Sequence, residues 1–226
     1  MRMLRLFGSS AAAFALGGVI FGQFRPPQYQ SGSTPPTAIQ ALSGGQVLVE
    51  ATITAQGLVE DVRPLRDTPP FTADVVRTVR QWHFSPAMQL LQAEPGEASV
   101  VSPQAVRSKV LIAAWFRPPT INTATLGAEP KDVAEASDEI PFPITTETPI
   151  FPITAVFDGG VLLECRVNAA GHVSTARVLH SGAVFDSPAL DAVRKWTFRP
   201  ARIRGAPSEA FVYVSYGFRQ PVLTVK

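Results

Sequence analysis

The sequence predicts an α+β fold of two tandem β-β-α-β units, each an antiparallel three-stranded sheet packed on one helix. Three observations predict it. Residues 45–87 match residues 159–201 at a constant offset of 114 without a gap, with identity at 16 of 43 positions. Within each copy the apolar spacing runs from two residues to the helical three or four and back to two. The chain holds 21 prolines in 226 residues, which argues against a long helical bundle or coiled coil. With 46% apolar and 17% charged residues, it is too hydrophobic and too weakly charged to be disordered throughout.

The elements follow in order. Arg2 and Arg5 precede the uncharged stretch from Leu6 to Phe24, the layout of a signal peptide cleaved after Gly22. The alternative is an uncleaved membrane anchor, for which nineteen helical residues reach roughly 28 Å against a bilayer core of about 30 Å. Either way residues 1–22 send the rest of the chain across the membrane. Residues 23–43 hold Pro26, Pro27, Pro35 and Pro36 with Ser and Gly and read as a stiff, exposed tether.

Residues 44–119 form the first copy and 149–222 the second. In each, alternation marks a half-buried strand (Val47, Val49, Ala51, Ile53; Val161, Leu163, Cys165, Val167). A Gly-closed turn follows at Gly57 or Gly171, then a second strand at Val59 to Leu65 or Val173 to Leu179. The helix of the first copy is read at Ala73 to Gln81 with Thr72 as cap. That of the second begins with Ser187 as cap and Pro188 at the first helical position. The last strand places Val110, Ile112, Ala114 and Phe116, or Val212, Val214, Tyr216 and Phe218, on one face. Before it the copies re-register from an offset of 114 to one of 102. The first copy therefore carries a 12-residue insertion within Leu91 to Gln104, a surface loop with Pro95-Gly96. Residues 120–148 are an acidic interdomain linker. From Pro118 to Thr148 the net charge is −5, so the remainder sums to +7.

Catalysis and metal binding find no support. Three histidines share no motif spacing. The lone Cys165 excludes a disulfide within the chain and falls in phase with the apolar face of its strand, an inert buried thiol. Trp82, Phe84, Trp196 and Phe198 read as core at the junction of helix and sheet. No cofactor is implied. The basic cluster Arg194, Lys195, Arg199, Arg202 and Arg204 is a solvated face or a contact for an anionic peptide, peptidoglycan or lipid head groups. Nucleic acid is disfavoured because the leader exports the chain.

The second copy resembles the C-terminal domain of TonB-type energy transducers. The resemblance rests on Phe151-Pro152, Gly160-Val161, Gly171-His172-Val173, Ser181-Gly182, Phe185-Asp186, the block from Ala192 to Ala201 (AVRKWTFRPA), and Gly205 before Pro207. The first copy keeps Arg80, Trp82, Phe84, Pro86 and Ala87 and is a degenerate version. The resemblance implies a non-enzymatic protein of the Gram-negative periplasm, held at the inner membrane if its leader is uncleaved. It would bind an extended segment of an outer-membrane receptor, or another envelope protein, by completing an exposed sheet edge. By that resemblance the pairing edge is the last strand, through Phe211, Tyr213, Ser215 and Gly217, with an equivalent at Lys109, Leu111 and Ala113. The leader has no histidine and the spacer reaches roughly 65 Å when extended, which bears against force transduction more than against peptide binding. The alternative is a structural envelope module that scaffolds or homodimerises through the same edges.

Overall fold

The computed structural model describes residues 24–37, 43–90, 102–119 and 134–221. The leader, most of the insertion and the first half of the acidic linker lie outside them. The first half of the chain carries β1 (Phe24–Arg25), β2 (Gln28–Ser31), β3 (Gly45–Ile53), β4 (Val59–Arg66), α1 (Phe71–Val79), β5 (His83–Ser85), β6 (Ala87–Leu90), β7 (Pro103–Val106) and β8 (Ser108–Phe116). The second carries β9 (Phe142–Thr145), β10 (Gly159–Val167), β11 (Val173–His180), α2 (Asp186–Val193), β12 (Thr197–Arg199), β13 (Ala201–Ile203), β14 (Ala206–Ser208) and β15 (Ala210–Phe218). The described residues thus form a mixed α+β fold, mostly strand, with two helices.

The two copies do not build separate sheets. Their strands join in one six-stranded sheet of order β11-β10-β15-β8-β3-β4. All pairings in it are antiparallel except the central one, where β15 runs parallel to β8 from Val212 opposite Leu111 to Gly217 opposite Phe116. A half-turn about the strand direction, with a slip of one residue, accounts for this: it keeps neighbours parallel while turning the second copy over. The helices therefore cover opposite faces. Val75 and Val79 of α1 pack with Val49, Ile112 and Phe116, whereas Ala189 and Val193 of α2 pack with Leu163, Val214 and Phe218.

Turning one copy over corrects the expected half-buried strands. Leu48 and Leu162, read as outward residues, are fully buried, each in the core beneath the other copy's helix. Burying a leucine is worth about 1.5–3 kcal/mol, so both sheet faces contribute to stability. All nine residues of β15 are buried.

The segments preceding each copy belong to the fold. Residues 24–37 are not an exposed tether, because β2 pairs with β5 and Tyr29 lies in the core. In the acidic linker β9 pairs with β12, and Ile140 is fully buried. The two segments are equivalent at the same offset of 114: Trp82 Nε1 donates to Ser33 O at 2.9 Å and Trp196 Nε1 to Glu147 O at 3.0 Å. The insertion separates β6 from β7, strands whose counterparts β13 and β14 are joined by Arg204-Gly205.

Local details differ from expectation at the helices. α1 begins at Phe71, so Thr72 lies inside it and its Oγ1 accepts from Thr68 N at 2.7 Å. α2 begins at Asp186, placing Ser187 in its first turn. The Asp186 carboxylate accepts from Gly182 N at 2.7 Å and Ser181 Oγ at 2.6 Å, which fixes the chain entering the helix. The turn after β10 is as read: Asn168 Oδ1 accepts from Ala170 N and His172 N, and Gly171 has φ +84°.

Candidate functional site: the edges of the sheet

A strand completes its ladder on both sides only inside a sheet, and an edge leaves a row of N–H and C=O groups for another chain. The residues expected on such edges are not there. Phe211, Tyr213, Ser215 and Gly217 on β15 and Lys109, Leu111 and Ala113 on β8 stand at the seam, where each strand has a partner on both sides. The side chains of Phe211, Tyr213 and Ser215 point away from their own helix, as read, Phe211 and Tyr213 lie in the core beneath the other copy, and Lys109 pairs with Glu50. Tyr213 packs with Tyr29, Trp82 and Phe84, and Leu111 and Ala113 lie with α2.

The edges that remain are β4 and β11, and they are not equivalent. β4 contains Pro64, which has no N–H to offer. Along it Ala134 N donates to Leu65 O at 2.7 Å and Arg63 Nη2 to Glu135 O at 3.0 Å. β11 contains no proline, and among the described residues it pairs only with β10. Its Ser174, Thr175 and Arg177 are exposed. The sequence reading placed neither edge in a role, although both strands were recognised.

Beside each outer edge a glutamate at equivalent positions is buried against an arginine. Glu50 accepts from Arg63 at 3.1 Å, from Ser137 N at 2.9 Å and from Lys109 at 3.2 Å. Burial pushes its carboxyl up, but these three donors together hold it below the usual carboxylate range. Glu164 accepts from Arg177 Nε at 2.6 Å, and its hydrogen bond keeps the guanidinium protonated to higher pH. The Tyr213 hydroxyl, 3.4 Å from Glu164 Oε2, is pushed well above the ordinary range by burial and then by that carboxylate. Where β11 ends, His180 Nε2 lies 3.0 Å from Tyr29 Oη and its Nδ1 3.0 Å from Thr34 Oγ1, tying the N-terminal segment to this strand.

The chain leading into β10 makes a turn in which Ala155 N donates to Pro152 O at 3.0 Å. Ile153 at its tip is 99% exposed, and Val156, Phe157 and, after β11, Val184 are also exposed. The matching positions of the first copy hold Ile39, Leu42, Ser43 and Pro70. Large apolar side chains thus recur at the first two positions, whereas Phe157 and Val184 have no large apolar counterpart. The repeated fold therefore does not require them at those two places.

The basic residues do not form one patch. Arg194 pairs with Asp191, Lys195 with Glu147 and Arg199 with Asp138, so two of the five meet the acidic linker. Arg202 donates to Gly205 O at 3.0 Å, and Arg204 lies in the β13–β14 turn. Cys165 is fully buried and burial pushes its thiol up, away from reactivity. Among the described residues no group of three His, Cys, Asp or Glu could hold a metal ion, and no helix is long and apolar enough to cross a membrane.

Two short helices on a sheet of repeated strands, with β4 and β11 as its outer edges, make up the described fold. The family model described as Gram-negative bacterial TonB protein C-terminal matches residues 34–101 and again 155–219, more than half of the chain. The chain belongs to that family and carries two copies of its domain. The family is a non-enzymatic domain of the Gram-negative envelope that serves TonB-type energy transduction. Comparison with curated proteins finds no match.

Proposed function

We propose that the chain is a periplasmic TonB-like protein that binds extended peptide segments of outer-membrane transporters by strand addition, and that the added strand pairs with β11. The reading is carried by one observation: of the six strands, only β11 presents a full-length edge free of proline and of described backbone contacts. A peptide laid along β11 gains main-chain hydrogen bonds there. Beyond His180 it meets Val184, with Phe157 stacked edge-to-face on the adjoining Phe185. This surface lies next to β11 and suits a segment carrying large apolar residues.

The test is an NMR titration of the full chain with N-terminal segments of outer-membrane transporters. Amide shifts concentrated at Val173 to Leu179 are expected. No binding of any segment, or binding that leaves β11 unmoved, overturns the reading. A second reading has its own observation in the parallel seam: the copies act as each other's strand partners in a structural envelope module. A chain that is monomeric by light scattering and binds no segment supports that one.

A further inference from the structure

β4 and β11 repeat one backbone geometry. Arg63 stands opposite Glu50 and Arg177 opposite Glu164, and the register shifts at Leu48/Val49 and Thr52/Ile53 recur at Leu162/Leu163 and Arg166/Val167. The main-chain groups that β4 turns away from its ladder are therefore turned away at the equivalent places of β11.

On β4 those groups are in use. Residues Ala134 to Ser137 lie along it: Ala134 N donates to Leu65 O at 2.7 Å, Arg63 Nη2 donates both to Glu135 O and to Glu50 Oε1, and Ser137 N donates to Glu50 Oε2. As the residue number rises from 134 to 137 the contacts step back from Leu65 to the level of Arg63, so the segment runs opposite to β4. On β11 the equivalent groups are Leu179 O and Arg177. Arg177 uses Nε on Glu164 Oε1 at 2.6 Å, and among the described residues nothing accepts from its two Nη atoms; its side chain is 61% exposed. Glu164 does not carry over, because the Tyr213 hydroxyl lies 3.4 Å from its second oxygen where the first copy has Leu111.

One place on β11 offers more than its counterpart. Pro64 has no N–H, and a proline fits an edge strand where that position faces away from the ladder. Val178 stands at the same place, opposite Leu163 as Pro64 is opposite Val49, so its N–H faces outward.

We propose that the segment taken up by β11 runs antiparallel to it, as Ala134 to Ser137 run on β4. One of its main-chain N–H groups donates to Leu179 O, and its carbonyls accept from the Arg177 guanidinium and from Val178 N. The proposal rests on strand addition at β11 and adds the direction of the segment and the groups that hold it.

The test uses the full chain and synthetic N-terminal segments of outer-membrane transporters carrying a nitroxide at one end. A label at the N-terminus of the segment should broaden the amide signals of Leu179 and His180, and one at its C-terminus those of Val173 and Ser174. R177K keeps a cation beside Glu164 but lacks the planar fork, and should weaken binding about tenfold. V178P should weaken it about tenfold as well, while V178A, which keeps the N–H, should bind as the parent does. The fold accepts proline at this place in β4, and R177K leaves the backbone unaltered should V178P not fold. Broadening at the opposite ends, unchanged affinity in R177K, or equal affinities of V178P and V178A overturns the proposal and leaves strand addition at β11 standing. No binding of any segment at β11 overturns both.

Discussion

At the scale of single residues, the repeat provides matched pairs on which to test physical claims. Gly57 and Gly171 have φ of +82° and +84°, and a Cβ on either would lie 1.8 or 2.0 Å from the carbonyl oxygen of Phe84 or Phe198. Gly205 has φ +80° with nothing within 4 Å. G205A should therefore cost only the left-handed penalty of about 1–2 kcal/mol. G57A and G171A should each cost more, because a backbone carbonyl must also move; urea unfolding of the three variants checks this order. Glu50 gives a pH prediction. Its carboxyl is held below the unfolded range, so its stabilisation is complete above the unfolded pKa of about 4.3 and is lost as pH falls through the lower folded value. E50Q should cost about 1–3 kcal/mol at pH 7, tempered by the partial exposure of Arg63 and Lys109. Its stability should also fall less steeply than the parent's below about pH 4, as read from denaturant melts at stepped pH. Both glycines were legible as turn residues. The burial of Glu50 and Glu164 was not, because alternation assigned them to solvent.

At the scale of elements, the strands, the hairpins and both helices were readable from periodicity and turn chemistry, and the helix starts were misplaced by one or two residues. The seam was missed, yet it left a trace. Leu48, Glu50, Arg63 and Leu65 recur as Leu162, Glu164, Arg177 and Leu179, and these are the outward positions that a solvated face would let drift. The runs Val110 to Ala114 and Phe211 to Val214 are apolar without a break, the pattern of a strand covered on both faces. Period-two reading of one copy at a time cannot reveal that the other copy supplies the cover. Ser215, 1% exposed and paired across the seam with Ala114, tests the seam directly. S215R places an unpaired charge in a two-sided core and should destabilise by about 4 kcal/mol, measured as a lowered urea midpoint. A near-neutral effect would mean that β8 and β15 separate readily.

At the scale of the whole molecule, size favoured two small units with limited cores, and the structure answers by merging their sheets. Each half alone would expose what the seam covers: one complete strand edge and one apolar sheet face. Separately expressed residues 24–119 and 134–221 should therefore self-associate or bind each other, while the full chain stays monomeric; multi-angle light scattering distinguishes these states. Two monomeric, stable halves would show that the seam is dispensable. The seam also has a consequence for how this protein can change over time. In a dimer of identical chains every substitution appears twice, so a lysine on one side of the seam entails a lysine at the equivalent place on the other. Joining the halves in one polypeptide lifts that constraint, because each side of the seam is encoded separately. Lys109 can then stand at the counterpart of Phe211, and Ser108 at that of Ala210, so the two sides of one seam are free to diverge in chemistry.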